Sequence, residues 1–187
     1  MPLALARTAV LTTALLLPLP SWAEVGAPTG PVIVTLGGGV GASNLPARGP
    51  DQGGLFGFLE VEYDRAVGLD TAMLSALPQT TITIPYGPED NQRDYAFSGP
   101  PLKAVMEMAG AAGKSALPMA MDGYQAEIPW DTIERLNPIL ATHADGTPMG
   151  IGGYGPTMVV FPPTENAEDA EAIPAKQVWA IAYIGIE

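Results

Sequence analysis

The sequence of 187 residues contains no cysteine, and this absence limits both how the chain can be stabilised and what chemistry it can support. Disulfide scaffolds, thiolate nucleophiles, Cys-ligated zinc and iron–sulfur centres all need cysteine side chains. The single histidine, His143, precedes a predicted turn and has no partner at a spacing suited to a general base or metal ligand. We therefore predict a structural or surface role for His143, and look for chemistry in carboxylates, aromatic rings, amides and backbone groups.

The first 23 residues have the pattern of a secretory signal peptide. Arg7 is the only charge before residue 24, an apolar run covers residues 9–20, and Ala23 is a small residue suited to signal peptidase. The run is too short, and too interrupted by proline, for a membrane-spanning helix of roughly 20 residues. We therefore expect residues 24–187 to form one exported, periplasmic domain that does not insert into a membrane.

The composition is strongly acidic, with 20 Asp and Glu residues against eight Lys and Arg residues and a formal net charge of −12. A negative field of this size repels nucleic acid and anionic lipid, and the sequence offers no basic stripe for phosphate. We therefore expect no nucleic-acid partner and favour a neutral or cationic ligand, or a basic partner surface. The alternative is that the charge serves only solubility.

Short strands at close spacing, with a few short helices, predict an α+β domain with a mixed, mainly antiparallel sheet. Residues 24–68 are predicted to form an N-terminal strand and a glycine-rich loop, and residues 69–187 have the more regular pattern. The first predicted elements are a strand at 31–36, a loop at 37–57, a helix at 71–76 capped by Asp70, a strand at 80–85 with its partner at 95–97, and a helix that starts after Pro101.

The second half of the chain carries several turn signals. Asp122-Gly123 predicts a hairpin between strands at 117–121 and 124–128. The spacing of Asp131 and Glu134 predicts a capping box at the start of a short helix. Further strands are predicted at 139–143, 157–161 and 177–186.

Four aromatic residues stand beside turns or glycines instead of within apolar runs: Tyr86, Tyr124, Trp130 and Tyr154. Such positions suit the lining of a cleft that stacks on a flat ligand ring, although ordinary packing at the base of a loop is the alternative. Asp122 then becomes a candidate acceptor for a ligand amino group. A catalytic pair drawn from Asp122, Glu127 and Asp131 is a weaker alternative, because each already has a predicted structural position.

Several weak motifs follow one another in residues 69–187: Leu74-x-x-Leu77-Pro78, TTITIP at 80–85, Phe97-Ser98-Gly99, Asp122-Gly123-Tyr124 and Gly155-Pro156. In this order they resemble the oxidoreductase molybdopterin-binding domain of the sulfite-oxidase fold. In that family a cysteine after the strand matching 80–85 ligates molybdenum, and an arginine lies near the substrate. Here these positions hold Pro85-Tyr86 and Met158, so the resemblance implies a fold kept without a metal or its catalysis.

The chain is more similar to small periplasmic proteins that look like this domain without its metal chemistry, some of which bind a reduced pterin and regulate a membrane signalling enzyme. Asn44, Pro85-Tyr86 and the segment 154–158 match their motifs in position. The resemblance implies a reduced pterin or molybdopterin-like ligand. It implies as partner the periplasmic domain of a membrane cyclic-diguanylate enzyme or histidine kinase.

The expected ligand site comprises Tyr86, Asp122, Tyr124, Trp130, Gly153, Tyr154, Gly155 and Met158. Tyr86 and Tyr154 are expected to flank the ring, Asp122 and Tyr124 to supply polar contacts, and the glycines to let the backbone approach closely. Two alternatives remain open: a molybdopterin-dependent oxidoreductase with residual redox activity, and an interaction protein that binds no ligand.

Overall fold

The computed structural model describes residues 25–187, so the predicted signal peptide lies outside the described residues. The strands are β1 (Val32–Gly38), β2 (Ala66–Asp70), β3 (Thr80–Tyr86), β4 (Arg93–Gly99), β5 (Ala116–Ala120), β6 (Ile139–Ala141), β7 (His143–Ala144), β8 (Thr147–Pro148), β9 (Met158–Val160) and β10 (Ile181–Ile186). The helices are α1 (Leu55–Phe58), α2 (Thr71–Ala76), α3 (Leu102–Met108), α4 (Trp130–Leu136) and α5 (Ala167–Lys176).

The main sheet has the strand order β2-β1-β10-β5 and is mixed, because β1 runs parallel to β10 while the outer pairs are antiparallel. A second sheet, β3-β4-β7-β8, is antiparallel throughout, and β6 pairs with β9 in a small third sheet. The predicted fold class is therefore confirmed: this is an α+β domain with mixed and antiparallel sheets and few, short helices.

The hydrophobic core has one large and two smaller parts. The largest part packs the main sheet against α3 and α4 and includes Leu36, Leu102 and Ile184, all fully buried. A second cluster lies around Phe97 of the second sheet, and a third joins Val61, Met119 and Tyr183. The site described below lies where the ends of the first two sheets meet.

Two polar side chains fix the N-terminal segment to β2. Asp70 is buried, with Oδ1 accepting from the Met73 N–H at 2.8 Å and Oδ2 from the N–H groups of Thr29 and Gly30 at 2.7 and 2.8 Å. These bonds confirm the predicted cap of α2 and lower the pKa of Asp70 to about 2. The Asn44 amide donates to the Gly68 carbonyl and accepts from the Gly68 N–H, which gives it a structural role beside β2.

Three local predictions were wrong. No capping box forms, because α4 starts at Trp130 after Pro129 and Asp131 lies inside its first turn, accepting from the adjacent Thr132 N–H. The predicted strand at 139–143 is divided between two sheets, β6 pairing with β9 and β7 with β4. The predicted strand at 124–128 contributes only isolated bridges to β5.

Helix α5 was not predicted, because it buries none of its residues and contains Pro174, so no apolar face marks it. Asn166 caps its start, with Oδ1 accepting from the Asp169 N–H at 3.0 Å. Within residues 25–187, every helix is too short or too polar to cross a bilayer.

Candidate functional site

Two adjoining cavities lie between the end of β3, the turn after β5 and the segment that joins α5 to β10. The larger, about 280 Å³, is called the tyrosine cleft; its main lining residues are Tyr86, Asp122, Tyr124, Pro174, Gln177 and Trp179. The smaller, about 240 Å³, is called the glycine chamber and is lined chiefly by Met121, Asp122, Gly152, Gly153, Gly155 and Trp179. Asp122 and Trp179 line both, so the two cavities are direct neighbours.

Asp122 provides the negative charge of this site. Its Oδ1 accepts a hydrogen bond of 2.9 Å from the Tyr124 N–H, which fixes the turn between them. Its Oδ2 accepts no hydrogen bond from residues 25–187. The turn therefore presents an exposed carboxylate oxygen at the mouth of both cavities, free to accept hydrogen bonds from a ligand.

The aromatic rings are arranged around Tyr154. Its ring meets Tyr86 edge to face at a centroid distance of 5.0 Å and meets Trp179 at 6.3 Å. A ring inserted between two parallel aromatic faces would need them about 7 Å apart, since each stacking contact takes about 3.5 Å. The predicted arrangement, with Tyr86 and Tyr154 on either side of a ligand ring, is therefore wrong. Tyr154 instead lies behind Tyr86 and Trp179 and supports them.

Tyr86 and Tyr154 are neutral phenols at ordinary pH. Burial raises the pKa of Tyr86 to about 12, and the neighbouring Tyr154 adds to the effect. Burial also raises the pKa of Tyr154 above its ordinary value. Both hydroxyls therefore keep their protons, and the carboxylate of Asp122 is the only formal charge among the residues that line either cavity.

Of the other predicted site residues, two line a cavity and two do not. Gly153 and Gly155 line the glycine chamber, where Gly155 approaches the Met149 backbone so closely that no side chain fits. Trp130 lies on α4 beneath Lys103, whose Nζ is 5.6 Å from the ring centre, and lines neither cavity. Met158 is fully buried in β9, within the core cluster around Phe97.

Sequence reasoning missed Trp179, whose side chain is 46% exposed between the two cavities. The segment 177–186 was predicted as one strand, which implied a buried position for this apolar ring. The strand begins only at Ile181, because Ala180 has a left-handed backbone with φ 52°. The sequence alone does not show this left-handed turn, so it gave no signal that the Trp179 ring is exposed.

The candidate catalytic carboxylates have separate partners. Glu127 accepts from the Ser115 hydroxyl at 2.9 Å, Asp131 from the Thr132 N–H, and Asp122 from the Tyr124 N–H. Across residues 25–187, no three His, Asp or Glu side chains come together as a metal-binding group. Within residues 25–187 these three carboxylates therefore each bond to a different neighbouring group.

The molybdenum cofactor of the family that the sequence resembles does not fit these residues. The chain has no thiolate to hold the metal, and Pro85-Tyr86 occupies the corresponding strand end. The phosphate of a molybdopterin requires basic or N–H-rich surroundings, whereas the two cavities contain Asp122 and no Lys, Arg or His among their lining residues. An anionic ligand would face a carboxylate here.

The domain has a sulfite-oxidase-like fold. One of the solved structures that support this assignment is that of the sulfane dehydrogenase SoxCD from Paracoccus pantotrophus, which superposes with a TM-score of 0.55 at 16% sequence identity. The match covers 83% of this chain but 38% of the SoxCD chain, so the likeness concerns the fold of one part of that protein. No protein-family model matches the sequence, and no curated protein matches it significantly.

Proposed function

We propose that this chain is a non-catalytic, periplasmic sensory protein that binds a small, uncharged heterocycle of the pterin type and regulates a membrane signalling partner. The observation that supports this best is the pairing of an exposed indole, Trp179, with the free carboxylate oxygen of Asp122 across one cleft. The cleft and chamber together have the size of a small-ligand site, which commonly measures about 300–1,000 Å³.

The chemistry of the lining suits an aminopyrimidine ring. Such a ring has N–H donors along one edge, and the carboxylate of Asp122 offers only acceptors. Its flat faces can lie against the indole of Trp179, in stacked or edge-to-face contact. Tyr86 borders the same cleft, and its high pKa keeps its hydroxyl able to donate to a ring carbonyl or nitrogen.

The charge of the site selects among pterins. Because Asp122 lines both cavities and no basic residue joins it, we favour a pterin without phosphate over a molybdopterin-like ligand. The same argument, with the missing thiolate, removes the support for the oxidoreductase alternative. The regulatory role is proposed from the family resemblance, and it requires a partner surface outside the cleft.

Isothermal titration of the exported protein with a phosphate-free reduced pterin, under anaerobic conditions, tests the proposal. We expect saturable one-to-one binding that Asp122→Asn weakens by roughly ten-fold or more, because a hydrogen bond to a charged group contributes about 1.5–3 kcal/mol. Asn keeps the bond to the Tyr124 N–H, so the turn is retained. Trp179→Ser should weaken binding as well.

The matched control is Glu168→Gln, which removes one carboxylate from the exposed surface of α5 and should leave the affinity unchanged. Absence of saturable binding to any pterin would contradict the proposal. Pterin binding that is unchanged in both Asp122→Asn and Trp179→Ser would contradict it as well.

A further inference from the structure

A third cavity, of about 460 Å³, shares Met121 with the glycine chamber and is lined almost entirely by apolar residues. It lies between the first residues of β1, helix α1 and the loop 150–155, and is called the apolar groove. The residues that matter for its character are Val32, Leu55, Phe56, Met121, Ile151 and Pro156. None of the residues lining it carries a charge, which distinguishes it from the tyrosine cleft.

Large exposed apolar side chains are concentrated at two places on the described surface. Tyr124 and Trp179 line the tyrosine cleft, whereas Val32, Leu55 and Ile151 line the apolar groove. The remaining one, Phe58, is 80% exposed on the same helix, α1, that borders the groove. Ile151 itself is 76% exposed, on a loop with glycine on either side. Such clustering is typical of an interaction surface, since scattered exposure would need no explanation.

The chain beside the groove is acidic. Val61 donates its N–H to the carbonyl of Phe56, a groove residue, at 2.8 Å. The exposed residues Glu60 and Glu62 are the chain neighbours of Val61, so both lie close to the groove. Asp51 and Asp64 are exposed on the same segment. None of these four takes part in the ion pairs found among residues 25–187.

The arginines of this segment are directed towards backbone carbonyls. The Arg48 guanidinium donates to the carbonyls of Val61 and Gly53 at 3.2 and 2.7 Å, and Arg65 donates to the Gly41 carbonyl at 2.6 Å. Segment 48–65 therefore contains four exposed carboxylates and two guanidinium groups, and Arg48 lies 5.8 Å from the ring centre of Phe56, so the segment keeps a net negative charge. Its field attracts cationic groups and repels phosphate and anionic lipid.

We propose that the apolar groove is a docking surface for a segment of a partner protein that presents large apolar side chains flanked by lysine or arginine. The apolar side chains fill the groove between Leu55 and Ile151, and the flanking cations lie near Glu60 and Glu62. A buried apolar anchor with a charged rim is the usual anatomy of a specific interface. The inference deepens the proposed regulatory role, but the binding event itself requires no ligand in the tyrosine cleft.

The test uses three fluorescently labelled synthetic peptides and the full protein without added pterin. The first peptide is amphipathic with leucine and lysine, the second has glutamate in place of lysine, and the third has serine in place of leucine. We expect saturable one-to-one binding of the first peptide by fluorescence anisotropy, with the other two weaker by roughly ten-fold or more. The affinity should fall as the salt concentration rises from about 0.05 to 0.3 M, because screening weakens the rim contacts.

Ile151→Asp is the decisive variant, because it adds a negative charge that would strengthen a purely electrostatic attraction to the basic peptide. We expect it to weaken binding by roughly ten-fold. Its control, Thr147→Asp, adds the same charge at another exposed position and should not weaken binding. Glu60→Gln with Glu62→Gln should weaken binding, whereas Glu168→Gln with Glu171→Gln removes equal charge from α5 and should have little effect. Circular dichroism of each variant confirms that it is folded.

Equal binding of the leucine–lysine and serine–lysine peptides, or an unchanged affinity in Ile151→Asp, would show attraction by charge alone and overturn the proposal. A concentration-dependent dimer of this chain that Ile151→Asp abolishes would also overturn it, because the occupant would be a second copy. Asp122→Asn, which is expected to impair pterin binding, should bind the first peptide normally. Failure of either proposal is therefore distinguishable from failure of the other.

Discussion

The Tyr124 hydroxyl donates a hydrogen bond of 2.8 Å to the backbone carbonyl of Ala175, joining the turn beside Asp122 to the last turn of α5. No residue of α5 is fully buried, so this bond, the ion pair between Arg135 and Asp169 and the packing of Ile173 against the main core hold the helix. The helix borders the tyrosine cleft through Pro174, so its attachment affects the shape of the cleft.

Tyr124→Phe should therefore loosen α5 while leaving the rest of the domain intact. One exposed hydrogen bond contributes about 0.5–1.5 kcal/mol, which corresponds to up to roughly ten-fold faster opening of the helix. Hydrogen exchange followed by mass spectrometry should show faster exchange in residues 167–177 and unchanged exchange in α3, whose apolar face is buried. Unchanged protection of α5 in the variant would contradict this role of Tyr124.

Asp70 should make the stability of the domain depend on pH in the acid range. Its folded-state pKa of about 2 lies below its ordinary value of 3.8, so the unfolded chain takes up the proton first as the pH falls. Its contribution is thus complete above about pH 4 and is lost as the pH falls towards 2. Urea unfolding between pH 2 and pH 5 should show a shallower pH dependence for Asp70→Asn than for the wild type. Asp64→Asn, on the exposed surface, should keep the wild-type slope.

Two glycines of the loop 150–155 should differ in their sensitivity to substitution by alanine. A Cβ at Gly155 would lie 2.3 Å from the Met149 carbonyl oxygen, whereas a Cβ at Gly153 meets its nearest atom at 3.8 Å. We expect Gly155→Ala to lower the free energy of unfolding by about 1–3 kcal/mol. Gly153→Ala should change it by less than about 0.5 kcal/mol. Denaturant unfolding of both variants measures the difference, and similar values for the two would refute the close approach at Gly155.

Met158→Ala should affect stability and not ligand affinity, although the sequence placed Met158 in the ligand site. Its side chain is fully buried beside Phe97, and truncation of a buried methionine commonly costs about 2–5 kcal/mol. Thermal unfolding should show the loss, while pterin titration of the remaining folded protein should give the wild-type dissociation constant. A weaker affinity in fully folded Met158→Ala would return this residue to the site.

The parts of the fold that were predictable depend on local chemistry. Helix α2 was predicted with its bounds, because Asp70 caps it and a proline follows it. Strand β3 was predicted from its alternation. The division of 139–143 between two sheets was not predictable, because pairing partners distant in sequence decide it and the segment itself has no turn signal. Helix α5 was missed for another reason: it buries none of its residues, so its sequence shows no apolar stripe, although Ile173 packs against the main core.

Site residues whose exposure depends on a local turn were predicted from the sequence. Site residues whose position depends on contacts with distant parts of the chain were not. Asp122 and Tyr124 flank a glycine in a tight turn, so both were expected at the surface and both line the cleft. The sequence could not show that Tyr154 packs directly on Tyr86, since that contact joins a strand end to a distant loop. Nor could it show that the left-handed Ala180 turns Trp179 outwards.

The loop 150–155 is shared by two surfaces: Gly152 and Gly153 line the glycine chamber, and Ile151 between neighbouring glycines lines the apolar groove. A molecule that changes the conformation of this loop from the glycine chamber would also change the surface of the apolar groove. Thermodynamic reciprocity then requires that a ligand and a partner alter each other's dissociation constants by the same factor. For the proposed sensor, the loop 150–155 would be the segment through which a bound ligand changes the affinity for the partner.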